Sequence, residues 1–162
     1  MKIAILTGAN GNLGSNFLEV LRNLNYFVYA VDKEIGDIKA EEFVEPVQLD
    51  IADEKKVEDF YLTISSLDLL VNNAGIGVFT PFEERTADEF RMVTDVNLLG
   101  TFLMAQGAVK IMKKQKFGKV VNLGSIYGVK SSDERIYGDS GRNNSEVYSI
   151  TKAGVIQLTK YM

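Results

Sequence analysis

The sequence predicts a doubly wound α/β fold built on a parallel sheet, and three observations carry that expectation. Short apolar runs alternate along the chain with longer segments whose apolar residues recur at helical spacing, the pattern of strand–helix–strand crossovers. A glycine-rich turn, Gly8-Ala9-Asn10-Gly11-Asn12, separates the first apolar run from the first such helix. The residues least typical of a core, Gly8, Asp32, Asp50, Asn72 and Ser125, all stand just past the carboxyl ends of apolar runs. In open α/β sheets that edge is where ligands bind.

The elements follow in order. Lys2 to Leu6 reads as a strand covered on both faces. Leu13, Phe17, Val20, Leu21 and Leu24 then give a helix whose apolar stripe faces the sheet. Phe27 to Val31 forms a second strand ending at Asp32, and a third lies near Pro46 to Leu49, ending at Asp50. Asp53 is placed to cap a helix that carries Val57, Phe60, Tyr61 and Ile64 at the same period. Leu67 to Val71 is the fourth strand, closing at Asn72-Asn73-Ala74-Gly75. Thr86 and Glu89 have capping-box spacing, and the helix they open runs past Asn97 to about Gln115 with a bend expected near Gly100. The fifth strand is Lys119 to Leu123, followed by Gly124-Ser125. A polar loop covers Lys130 to Ser145, and a last helix starts near Glu146. No linker, repeat or low-complexity tract interrupts the chain, so residues 1–162 are expected to form a single domain.

Composition removes several kinds of chemistry. The 162 residues contain no histidine and no cysteine. Disulfides, thiolate catalysis, histidine-based triads and the usual metal ligands are absent with them, and no metal site is expected. Proton transfer therefore falls to Tyr, Lys, Asp or Glu. The formal net charge is −4, without a basic footprint for nucleic acid. The lysines of Lys110 to Lys116 read as a helix end favourable to the macrodipole. No apolar run approaches the about 18 residues of a membrane helix. A cytoplasmic protein that binds neither membrane nor nucleic acid is expected.

The glycine turn is suited to a dinucleotide. A diphosphate needs a backbone free of Cβ atoms and open amides at a helix N-terminus, and Gly8, Gly11 and Gly14 ahead of a helix supply both. Asn10, Asn12 and Leu13 complete the cofactor-binding turn. Asp32 stands where a carboxylate accepts from the adenosine ribose hydroxyls and repels the extra phosphate of NADP. Lys33 follows directly and softens that discrimination, so NAD is favoured with NADP left open. Tyr148 and Lys152 sit four residues apart on one helix face. An ammonium at that spacing favours the phenolate and draws a tyrosine towards acid/base work near neutrality. Ser125, past the fifth strand, is placed to hold a carbonyl oxygen.

Taken together, Thr7-Gly8 to Gly14, Asp50-Ile51, Asn72-Asn73-Ala74-Gly75, Asn97, Gly124-Ser125 and Tyr148-x-x-x-Lys152 resemble the short-chain dehydrogenase/reductase family over essentially the whole chain. The resemblance implies a Rossmann fold and a hydride passed between NAD(P) and a small hydroxyl or ketone substrate. It implies that Tyr148 is the acid/base, that Lys152 holds the nicotinamide ribose, and that Ser125 orients the substrate carbonyl. Asn97 would hold a water relaying protons to Lys152. Asp50 and Ile51 would contact the adenine, with Asn73, Ala74 and Gly75 near the adenosine ribose. A homo-oligomer, dimer or tetramer, is implied for the full-length protein, with some of Leu98, Leu99, Phe102, Leu103, Met104, Val147, Val155 and Ile156 lining a helix-pair interface.

Three departures from the family pattern matter. The G-x-x-G-x-x-G spacing resembles the branch of nucleotide-sugar epimerases and dehydratases, whereas Asn-Asn-Ala-Gly and Asn97 resemble the main oxidoreductase branch. Ser125 and Tyr148 lie 23 positions apart, wider than the family's usual gap. The excess, Lys130 to Asp139, resembles reductases of flagellin modification and surface-sugar synthesis. Finally, the chain stops where the family continues, so the family's C-terminal strands are missing and a fragment of a longer protein is expected. Two other readings stay open: an epimerase or dehydratase that retains its NAD, and a non-catalytic nucleotide-binding module.

Overall fold

The computed structural model describes residues 1–140 and 144–162. Five strands, β1 (Lys2–Thr7), β2 (Tyr26–Asp32), β3 (Val44–Gln48), β4 (Leu69–Asn72) and β5 (Lys119–Asn122), form one all-parallel sheet in the order β3-β2-β1-β4-β5. Helices α1 (Asn12–Asn23), α2 (Glu54–Leu62), α3 (Ala87–Thr94), α4 (Thr101–Gln115) and α5 (Glu146–Tyr161) connect or follow them, except that β2 runs to β3 with no helix and both α3 and α4 lie between β4 and β5. The chain moves outward from β1 to β2 and β3, then returns to β4 on the other side. The sheet thus reverses between β1 and β4, the place where such folds bind ligands.

Contacts sort the residues into two compact units. One comprises Met1–Ala74 with Gly100–Leu123, the other Gly75–Leu99 with Gly124–Met162. The first unit holds the sheet. The central strands β1, β2 and β4 are largely apolar on both faces because both faces are covered, whereas β5 leaves Lys119 and Val121 exposed. Ala4, Leu6, Val28, Ala30 and Val71 pack with Leu21 of α1, whereas Ile5, Val31 and Leu70 pack with Val57 of α2 and Leu103, Met104 and Ala108 of α4. Pro46, which has no amide to donate, sits on the edge strand β3.

Several boundaries differ from the sequence expectation, each for a physical reason. The strand expected over Leu67 to Val71 begins at Leu69, because the Leu67 amide and carbonyl bond to the side chain of Gln115 instead of a neighbouring strand. The third strand is displaced to Val44–Gln48 by its register with β2, in which Val28 pairs with Val44 and Asp32 with Gln48. The stripe expected to bury α1 is corrected: Leu13, Val20 and Leu24 are more than half exposed, and the inward face is Gly14, Phe17, Leu18 and Leu21. Gly14 sets that rotation. A Cβ there would lie 1.9 Å from the Gly8 carbonyl oxygen, so this face of the helix must meet the turn.

In the second unit α3 opens with the expected capping box, the Thr86 side chain accepting from Glu89 and the Glu89 carboxylate from Thr86. The expected bend near Gly100 takes the form of a π-helical turn, Asp95–Gly100. π turns widen the helix and are frequent at functional sites. α5 buries Val147, Thr151, Lys152 and Val155 and packs against α3. Arg85, its side chain only 6% exposed, grips Glu146 in the first turn of α5, Nε to Oε1 at 3.2 Å and Nη2 to Oε2 at 3.5 Å. The polar stretch expected as a loop contains short 3-10 turns at Glu134–Ile136 and Gly138–Ser140, and its residues 141–143 lie outside the described residues. Its Tyr137 hydroxyl meets that of Tyr127 at 2.5 Å. Of the residues expected at a helix-pair interface, Leu103, Met104, Val147 and Val155 are buried within their own units, and Leu99 and Phe102 are the ones substantially exposed. Among the described residues no helix is long and apolar enough to cross a membrane, and no group of acidic residues could hold a metal ion.

Candidate active site

The glycine turn of the first unit is built for close approach. Gly8 has φ +65°, a region L side chains avoid, and a Cβ there would lie 2.8 Å from the Ala74 Cα. The Gly11 amide closes the turn on the Gly8 carbonyl at 3.1 Å. Gly11 is also the N-cap of α1, and it supplies no side-chain cap. The first-turn amides of Asn12, Leu13 and Gly14 therefore have no acceptor among the described residues. An uncapped N-terminus on a glycine turn leaves donors and a positive dipole end for an anion. A dinucleotide diphosphate fits this cradle.

Asp32 and Asp50 mark the ends of β2 and β3. The Asp32 carboxylate accepts from the Asn10 amide at 2.9 Å and the Glu34 amide at 3.1 Å, which fixes it beside the glycine turn. Lys33 is directed to Asp50, with Nζ 2.9 Å from Oδ2, so its charge is engaged there. That hydrogen bond lowers the Asp50 pKa below the ordinary carboxylate value. Ile51 is 5% exposed, its side chain turned towards Gly100 in the core. Its backbone is therefore the part left for a ligand.

Asn73 and Ala74 are locked to β1 by Thr7. The buried Thr7 hydroxyl accepts from both of their amides at 3.1 Å, and the Asn73 carboxamide donates to the Thr7 and Gly8 carbonyls at 3.0 and 2.9 Å. Thr7 was the first residue of the sequence motif, yet its double acceptor role is legible only in the fold.

The second unit brings Tyr148, Lys152, Asn97 and Gly75 together. Lys152 lies on the buried face of α5, 6% exposed, with Nζ 5.6 Å from the Tyr148 ring centroid. Burial lowers the Lys152 pKa below the ordinary ammonium value. Asn97, on the π turn and 1% exposed, accepts from the Ile76 amide at 2.8 Å and donates to the Ile76 carbonyl at 2.9 Å and the Thr151 hydroxyl at 3.2 Å. It ties the segment after Gly75 to α5 between the tyrosine and the lysine. A Cβ on Gly75 would stand 3.4 Å from Asn97 Oδ1 and 3.5 Å from Lys152 Nζ, and one on Gly77 would be 3.9 Å from the Tyr148 ring.

Ser125 caps a 3-10 turn, Ile126–Gly128, by accepting from the Tyr127 amide at 3.1 Å. That turn sits directly on α5, since a Cβ on Gly128 would be 2.8 Å from the Lys152 carbonyl carbon and 2.7 Å from Ile156. Ser145 caps α5 by accepting from the Tyr148 amide. A phenol, a buried amine and a hydroxyl held on one rigid helix and its adjoining turn can pass a proton to or from an oxygen. Arg85, Thr151 and Tyr137 were not singled out from the sequence, where nothing in their spacing marks them.

A family model described as short chain dehydrogenase matches residues 2–162. A 3-oxoacyl-acyl-carrier-protein reductase of Rickettsia typhi is 30% identical over 98% of this chain and 64% of its own length. An acetoacetyl-CoA reductase of Acinetobacter is 31% identical over 98% of this chain and 66% of its own. The crystal structure of a short chain dehydrogenase from Leptospira borgpetersenii with bound NAD+ matches with a TM-score of 0.91 and 40% identity, over 99% of this chain and 63% of that one. The chain spans less than two thirds of the length of each of these relatives.

Proposed function

The chain belongs to the short-chain dehydrogenase family, and from that premise we propose that it is the cofactor-binding and proton-transferring part of an NAD-dependent oxidoreductase acting on a ketone/hydroxyl pair. The observation that carries the reading is the buried Lys152 amine 5.6 Å from the Tyr148 ring, with Asn97 and Gly75 beside it. A buried lysine beside a tyrosine ring is costly to maintain, which favours a chemical role for it.

Bound NADH would supply the hydride. Tyr148 donates its phenolic proton to the oxygen of the carbonyl as that oxygen gains charge. Lys152 steadies the phenolate left behind and holds the nicotinamide ribose hydroxyls. Ser125 donates to the same oxygen and orients it. Asn97 keeps Ile76 and Thr151 in place around the lysine and completes the proton relay. Gly8, Asn10, Gly11, Asn12, Leu13 and Gly14 receive the diphosphate, and Asp32 the adenosine ribose. Asp50, Ile51, Asn73, Ala74 and Gly75 complete the cofactor surface.

Because Lys33 is paired with Asp50, it does not offset the repulsion that Asp32 presents to a 2′-phosphate, and NAD is the expected cofactor. Two of the relatives reduce 3-oxoacyl or acetoacetyl thioesters by name, so small β-keto thioesters are the first substrates to try. The resemblance of the Lys130 to Asp139 stretch to surface-sugar reductases makes a hydroxylated sugar derivative the second substrate class to try. We also place the protein in the cytoplasm as a homo-oligomer.

Calorimetric titration with NAD and NADP, beside the Asp32→Ala variant, tests the cofactor half. NAD is expected to bind more tightly than NADP, and the variant to lose the preference. A folded chain with no affinity for either cofactor would refute the reading. The glycine spacing keeps one rival in view, an epimerase or dehydratase, which would retain NAD and cause no net oxidation of added NADH.

A further inference from the structure

Asn10 is the one asparagine in the sequence followed by glycine, and it stands in the turn assigned above to the diphosphate. It is exposed. Its carboxamide rests against the Cα of Gly36, where a Cβ would come within 2.6 Å of both Nδ2 and Oδ1, and it makes no hydrogen bond among the described residues. The backbone is held on one side by the Asn10 amide to Asp32 Oδ2 at 2.9 Å and on the other by the Gly11 amide to the Gly8 carbonyl at 3.1 Å. Gly11 brings no side chain to shield its nitrogen, and its backbone swings freely once that last bond opens.

We propose that Asn10–Gly11 is a site of spontaneous deamidation, open in the cofactor-free protein and closed by bound dinucleotide, whose product holds the cofactor more weakly. The inference rests on the cofactor reading above. In the first step the Gly11 backbone nitrogen attacks the Asn10 Cγ. A nitrogen–carbon bond forms, the Cγ–Nδ2 bond breaks, and ammonia leaves with the proton shed by the Gly11 amide. The resulting five-membered imide then takes up one water. Opening at one carbonyl gives aspartate, and opening at the other gives isoaspartate, in which the main chain runs through the former side-chain carbon. Only water is consumed and only ammonia is lost.

Either product damages the site for a reason visible in the turn. A carboxylate at position 10 places a second negative charge next to Asp32 and beside the uncapped amides of α1, where it repels a diphosphate and competes for the same dipole end. Isoaspartate also adds an atom to the main chain. The turn has no slack for it, because Gly14 already packs so closely that a Cβ would reach 1.9 Å from the Gly8 oxygen. A diphosphate bound on the first-turn amides holds the Gly8–Gly11 turn closed and keeps the Gly11 nitrogen away from Cγ. The cofactor-free protein therefore ages, and the bound form is protected.

The test follows the protein over time at physiological temperature, with and without saturating NAD, by peptide mapping that distinguishes asparagine, aspartate and isoaspartate. Calorimetry on the same samples reads NAD affinity. Acid is expected at position 10 ahead of every other asparagine, slowed at least about tenfold by NAD, with Kd weakened about tenfold or more in the aged protein. Asn10→Asp is expected to match the aged protein, and Asn10→Ala, whatever its starting affinity, to show no drift. Conversion of other asparagines at the same rate, or conversion of Asn10 without loss of affinity, overturns the proposal alone. A fresh chain that binds no NAD overturns the cofactor reading as well, and the two failures are told apart by the zero-time sample.

Discussion

Breaking the Arg85–Glu146 pair from its two ends is expected to cost very different amounts. The Arg85 side chain is 6% exposed, whereas Glu146 is 30% exposed and lies in the first turn of α5. Glu146→Leu strands a guanidinium in the interior, and a buried charge left without its partner costs about 3–5 kcal/mol. Arg85→Met leaves a carboxylate that still sees water and the positive end of the helix dipole. Its loss is mainly that of the charge-assisted hydrogen bonds, about 1–2 kcal/mol. Arg85 also carries a buried Nη1 with no partner among the described residues, so the pair is not an optimised one. Replacing both residues with apolar ones is therefore expected to bring stability back to within about 1 kcal/mol of the parent. For a chain of this size each kcal/mol moves Tm by about 2–4 °C. Scanning calorimetry on the parent, both single variants and the double variant gives the full cycle. The reasoning fails if Arg85→Met costs as much as Glu146→Leu, or if the double variant shows the sum of the two losses.

Three further outcomes follow from the same geometry. Gly14→Ala forces a methyl to 1.9 Å from the Gly8 oxygen, so α1 must shift. Urea denaturation is expected to show a loss of about 1–3 kcal/mol or more, and titration to show loss of NAD binding. Thr7→Val removes the shared acceptor of the Asn73 and Ala74 amides; the expected cost is about 1–3 kcal/mol for each orphaned amide, with Thr7→Ser restoring most of it. The lowered pKa of Lys152 means that the unfolded chain binds this proton more tightly than the folded one. Stability contributed by this group therefore rises as pH climbs from the folded value towards 10.5, and below that window the full burial penalty is present. Lys152→Met is expected to melt above the parent at neutral pH, with the gap narrowing as pH rises through the window; a constant gap would contradict the assignment.

Much of the fold could be read from the chain because the physics was local. The central strands are largely apolar on both faces, and the caps at Asp53 and Thr86 announced α2 and α3 through side chains within a few residues of the amides they satisfy. The rotation of α1 could not be read that way. Leu13, Val20 and Leu24 have a helical period of their own, and it is the contact of Gly14 with Gly8, across the turn, that turns them outward. The bend near Gly100 was legible, but its π-helical form over Asp95–Gly100 was not, since its apolar spacing is the same as that of an ordinary helix. The start of β4 depended on Gln115, 48 residues away, and the grip on α5 depended on Arg85, 61 residues before Glu146. The candidate site lies between these extremes. Tyr148 and Lys152 are neighbours by helix geometry alone, whereas the contacts of Asn97 with Ile76 and Thr151 arise only from the packing of the second unit.

NADH oxidation by the protein and its Tyr148→Phe variant, across a panel of small ketones led by acetoacetyl thioesters, tests the proposed chemistry most directly. The substitution removes one hydroxyl and leaves the ring against Lys152. If Tyr148 is the proton donor, turnover falls by about 10²–10⁴-fold while NADH affinity is unchanged. Undiminished turnover in the variant would contradict the role given to Tyr148, and NADH binding without oxidation by any ketone would contradict the assignment of this chain as a carbonyl reductase.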